Sequence, residues 1–97
     1  GYIGVNQSIY IEQNKAQVGL VNSVGNSSSV VIKIYDTKTE DIYYRSEQVR
    51  PGSILHIAVL EKEVEKTEDL ELEYTLYDQE GKEAGTFSVN AVFLKIE

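Results

Sequence analysis

The sequence predicts an all-β chain folded as an antiparallel β-sandwich of about seven strands, and three observations carry that prediction. The dominant hydrophobic period is two. β-Branched and aromatic residues come in short runs, and Gly, Asn, Ser and Asp separate those runs. No stretch sustains a long helical period. The length of 97 residues suits one domain over 1–97, because a single hydrophobic core commonly serves roughly 100 to 200 residues.

Taken in order, Ile3 to Val5 and Ser8 to Glu12 read as an N-terminal edge strand split at Asn6-Gln7, with Ile9 and Ile11 facing inward. Ala16 to Asn22 follows and sets Ala16, Val18 and Leu20 against Gln17 and Gly19. Gly25 to Ser29 is a loop. Val30 to Asp36 alternates Val30, Ile32 and Ile34 with Val31, Lys33 and Tyr35, and the lysine marks the second face as the wetter one. A turn over Asp36 to Glu40 leads to a short strand, Ile42 to Ser46. Ser53 to Leu60 comes after Pro51-Gly52, with Leu55, Ile57 and Val59 expected in the core. Glu61 to Asp69 carries seven charges in nine residues and supports a helical turn only marginally.

Leu70 to Asp78 is the clearest strand: Leu70, Leu72, Tyr74 and Leu76 form a core face, and Glu71, Glu73, Thr75 and Tyr77 a solvent face. Tyr74 reads as a core tyrosine in preference to a corner tyrosine. Asp78 to Lys82 is a hairpin-type turn, and Thr86 to Ile96 is a long closing strand. Phe87, Val89, Ala91 and Phe93 share one of its faces while Val92, Leu94 and Ile96 share the other, so a bulge or a partner is expected to change the register near Asn90. This succession of strands and turns makes the sandwich immunoglobulin-like in architecture, without the Cys and Trp of antibody domains.

Composition then narrows the function. With no cysteine there is no disulfide framework, zinc knuckle or thiol nucleophile. A net charge of -7 with nine Lys+Arg argues against nucleic acid as a partner, since phosphate binding needs a basic face. A domain of this size hides only about 60 to 65% of its chain surface, which favours function on the outside over a deep site. His56 is the only imidazole and no nucleophile-elbow pattern accompanies it. Nothing selects a pair among the carboxylates, so no catalytic residue and no cofactor are expected, and the chain reads as a non-enzyme. The absence of methionine makes Gly1 a processed end or the remnant of a cleaved tag, and the chain a piece of a longer precursor.

The charge is uneven. Residues 1–50 balance five basic against five acidic groups, whereas 61–73 holds seven acids against Lys62 and Lys66. A hard cation would take Glu61, Glu63, Glu65, Glu68 and Asp69, but the Asp/Asn and Gly spacing of a calcium loop is missing. The segment reads instead as a solvated acidic face. Tyr35, Tyr43 and Tyr77 fall opposite the apolar sets and are the candidate binding residues. Tyr2 and Tyr10 lie near the N-terminal edge. Three roles follow: an interaction or structural module presenting a sheet face or edge to a protein or glycan; a carbohydrate-binding module in which Tyr35 stacks on sugar with Tyr43 or Tyr77; and a strand-exchanging module that self-associates through its terminal strands.

The stretch Ile34-Tyr35-Asp36-Thr37, then Ile42-Tyr43-Tyr44-Arg45-Ser46, then Val49-Arg50-Pro51-Gly52-Ser53-Ile54, resembles a pattern in small surface-exposed or lipoprotein β-sandwich domains of Gram-positive bacteria. Leu72-Glu73-Tyr74-Thr75-Leu76-Tyr77-Asp78 is similar to the penultimate strand of that family, and the likeness covers roughly residues 26–94. Thr67-Glu68-Asp69 stands where the family often has a glycine. The shared motifs are turn chemistry and bring no catalytic residue with them. The resemblance implies an extracellular or cell-surface location in the envelope.

Overall fold

The computed structural model describes residues 2–96; Gly1, the expected processed end, lies outside them. The chain is all-β: β1 (Ile3–Gly4), β2 (Ser8–Glu12), β3 (Lys15–Ala16), β4 (Leu20–Asn22), β5 (Ser29–Tyr35), β6 (Ile42–Arg45), β7 (Ile54–Leu55), β8 (Ala58–Val59), β9 (Glu68–Tyr77) and β10 (Glu83–Lys95). Among the described residues the seven runs become ten strands because three of them are interrupted. The N-terminal run breaks at Asn6-Gln7 as expected, the second at 17–19, and the fifth at 56–57.

One sheet has the order β1-β4-β7 and the other β6-β5-β9-β10-β2-β3-β8. β2 lies inside the seven-stranded sheet, between β10 on one side and β3 on the other. The β2–β10 pair is parallel, which departs from the purely antiparallel expectation. The cause is the split edge strand: β1 pairs with β4 in the small sheet, then the chain crosses at Asn6-Gln7 and arrives beside the last strand running in the same direction.

Two breaks are locked together. Gly19 has φ +55, where a side chain is disfavoured, and a Cβ there would meet Asn6 Nδ2 at 2.7 Å. That amide donates to Val18 O at 3.2 Å, so the crossing of the first strand sits on the kink of the second. Gln13 and Asn14, with φ 53 and 61, make the tight turn from β2 to β3. Asn14 Nδ2 donates to Leu60 O and Leu60 N donates back to Asn14 O, at 2.9 and 3.0 Å, which fastens the end of the β7–β8 path to this turn.

The same kink overturns the expected core set of Ser53 to Leu60. Leu20 faces Leu55 and Ala16 faces Ala58, so residues 17–19 stand opposite only 56–57. This irregularity reverses the alternation: Ala58 and Leu60 are buried, Leu55 is half-buried, and Ile57 and Val59 are 42% and 62% exposed. The segment 61–67 forms no helical turn; it is a crossing loop anchored by buried Val64 and by Glu61 N donating to Tyr43 O at 2.7 Å.

One cluster of buried side chains fills the space between the layers, with Tyr74 and Phe93 its largest members. Tyr74 stacks on Phe87 at 4.9 Å between centroids and 20° between planes. Burial pushes the Tyr74 phenol above the ordinary 10.0, and burial also raises Tyr43 and Tyr44, with Glu68 adding to the first and Glu47 to the second. Phenols raised on folding leave stability intact below about pH 10 and remove it as pH climbs through their folded values. Urea midpoints are expected to fall above about pH 10, and Tyr74→Phe is expected to flatten that fall; an identical alkaline slope in the variant contradicts the assignment.

Candidate functional site

The three tyrosines singled out by the sequence do not form a platform. Tyr43 is buried, at 4% exposure, and this corrects its expected place on an outer face. Ile34 pairs with Tyr44 and Tyr35 with Ile42, so Tyr43 is the extra residue of a β-bulge and turns inward. Lys62 Nζ lies 5.4 Å from its ring centroid and forms an ion pair with Asp41. That pair lowers the Asp41 carboxyl and raises the Lys62 ammonium from their ordinary values. Tyr35 is half-buried beneath Lys33, whose Nζ is 4.7 Å from the ring centroid and 3.4 Å from Glu73 Oε1. Tyr77 pairs with Ser29 while Tyr35 pairs with Glu71. The two rings thus stand at opposite ends of the β5–β9 pair, about 20 Å apart at ~3.3 Å per residue.

The acidic segment is dispersed in the same way. Glu61, Glu63 and Glu65 are exposed along the crossing loop, while Glu68 and Asp69 belong to β9. Among the described residues no group of three or more His, Asp or Glu is placed to hold a metal ion. His56 is exposed in the break between β7 and β8, where its backbone carbonyl accepts Gly19 N at 3.2 Å.

What the fold does build is an open edge. β10 has 13 residues. It pairs with β9 from Glu83 to Phe93, with an irregularity between Glu83 and Gly85. On its other side β2 pairs only with Val92 to Lys95. The change expected near Asn90 is therefore a change of partner, and the ladder with β9 runs without a bulge from Gly85 to Phe93. Val92 N donates to Gln7 O and Ile96 N to Ile11 O, both at 2.9 Å, so the even-numbered residues turn their backbone groups toward β2. By strand alternation Thr86, Ser88 and Asn90 aim theirs to the same side, where no strand lies among the described residues.

No protein-family model and no curated protein matches the chain.

The open edge is apolar beneath and polar above. Phe87, 39% exposed, and half-buried Val89 face the interior, whereas Thr86, Ser88 and Asn90 are exposed on the outer face. Phe87 also lines a cavity of about 360 Å³ together with Ile3, Leu76 and the loop 25–28. Ala84 to Leu94 carries no charge. The other edges are blunted: β6 is four residues long, bulged and ends in Arg45, and β1, β7 and β8 have two residues each. A long, flat, uncharged edge is the kind that accepts another strand. The sequence reading expected a presented edge and self-association through the terminal strands but did not locate this stretch, although a signal was present: the closing run is far longer than the five-residue strand able to cover it.

Proposed function

We propose that this domain is a non-catalytic interaction module of the cell envelope that holds its partner by strand addition at the open half of β10. The observation that carries the reading is the row of outward backbone groups at Thr86, Ser88 and Asn90 beside partly uncovered Phe87 and Val89. An added strand gains hydrogen bonds from the row and apolar contact from the face below it. The envelope location rests on the likeness of residues 26–94 to surface-exposed β-sandwich domains of Gram-positive bacteria. Sugar stacking loses its support, because Tyr43 is buried and Tyr35 and Tyr77 lie far apart.

Amide hydrogen exchange tests the reading directly. With a solubilised envelope fraction from Gram-positive cells, the amides of Thr86, Ser88 and Asn90 are expected to gain protection while those of β6 do not. Unchanged exchange at these three positions, both with that fraction and as the concentration of the domain itself is raised, contradicts it.

A further inference from the structure

We infer that the strand added at this edge is β10 of a second copy of the chain, paired antiparallel about a two-fold axis through Phe87. This rests on the reading of the edge as a docking strand and names its occupant.

Geometry sets the register. The free window is bounded by the irregularity at Glu83/Gly85 and by Gln7, which takes Val92 N. It spans 84–90, and Phe87 is its midpoint. A two-fold centred there uses the whole window in both copies and sets Thr86 of each opposite Ser88 of the other. Both residues turn their backbone groups outward, so each such pair exchanges two hydrogen bonds. On the outer face the cross-strand neighbours are Thr and Ser, a favourable pair; on the inner face Phe87 meets its own copy and Gly85 leaves room for Val89. The interface is isologous and consumes both open edges, so assembly stops at the dimer.

The window itself carries no charge to oppose this pairing. Two copies that each carry -7 repel, and the uncharged run Ala84 to Leu94 lets them approach without setting like charges opposite one another in the paired window. Screening that long-range repulsion strengthens the pair, so association rises with ionic strength. Seven residues from each copy fall well short of the roughly 20 to 30 per side of a standard interface, which makes the dimer a weak one, in the micromolar-to-millimolar range.

Sedimentation equilibrium of the domain alone, from micromolar to millimolar concentration, is the test. The weight-average mass is expected to climb from monomer toward dimer and to climb further in high salt. Ser88→Pro removes an N–H that makes no bond to β9, and Ser88→Lys sets two like charges beside the axis on an exposed face. Both variants are expected to keep the far-UV spectrum and Tm of the parent and to weaken association at least about tenfold. A parent that stays monomeric at millimolar concentration, or folded variants that dimerise as the parent does, overturns the inference. If the monomeric parent still gains protection at Thr86, Ser88 and Asn90 with the envelope fraction, self-pairing fails and the docking edge stands. If neither is seen, both fail.

Discussion

Replacing Asn22 by alanine lowers the unfolding free energy by about 3 kcal/mol, and Asn22→Asp costs more at neutral pH. Asn22 is 1% exposed and its side chain is fully used. Nδ2 donates to Ser28 O and Val49 O at 2.9 Å each, and Oδ1 accepts Asn26 Nδ2 at 2.8 Å. Its backbone joins the same region, with Asn22 N donating to Ser53 O at 3.0 Å and Gly52 N donating to Asn22 O at 2.7 Å. One amide therefore fastens the end of β4 to the loop before β5 and to the segment before β7. Alanine takes from the part-buried Ser28 O its Asn22 donor and leaves Val49 O with Val30 N alone, at roughly 1 to 3 kcal/mol for each bond lost. The carboxyl introduced by Asn22→Asp must face those carbonyls, so its folded pKa rises above the ordinary value of about 3.9. A raised acid is harmless below its unfolded pKa and destabilises increasingly as pH rises. Urea unfolding of both variants at acid and neutral pH reads this out: the gap between them is expected to widen with pH. A constant gap removes Asn22 from the role given to it.

Tyr74→Ala is expected to cost about 3 to 5 kcal/mol, the loss typical of a large buried aromatic. Such domains are stable by only about 5 to 15 kcal/mol, so the variant sits near the edge of folding. The position explains the size of the effect. Tyr74 lies on the central strand β9 between Ile32 of β5 and Phe87 of β10, and its ring supports that of Phe87. Phe87→Ala is expected to cost clearly less, because its ring is already 39% in water. Chemical unfolding of the two variants compares them, and equal losses would mean that Phe87 is as enclosed as Tyr74.

Most of the main sheet was legible from period two alone. β5 and β9 are held between neighbours on both sides, and their alternations, Val30-Ile32-Ile34 and Leu70-Leu72-Tyr74, match the buried set. The split of the first strand at Asn6-Gln7 was legible because polar residues interrupt an apolar run. Errors arose where an extra residue shifts the phase. Tyr43 turned inward at its bulge, and Ile57 and Val59 turned outward beyond the kink at 17–19. A bulge depends on the partner strand, which a single run of residues does not disclose. Asn22 looked like a strand end because its three side-chain partners lie in other segments. The open edge was hidden for a similar reason: it exists only because β2 joins β10 late, at Val92.

That late, parallel junction has a mechanical consequence. Tension entering ahead of β1 and leaving after β10 first peels β1, which is held to β4 by two residue pairs. It then reaches β2 and β10, whose parallel register from Ser8/Val92 to Ile11/Lys95 lies along the line of pull. Their hydrogen bonds are loaded in shear and must yield together, whereas an antiparallel terminal hairpin would unzip one bond at a time. The junction that leaves half of β10 open also makes the other half a clamp against stretching.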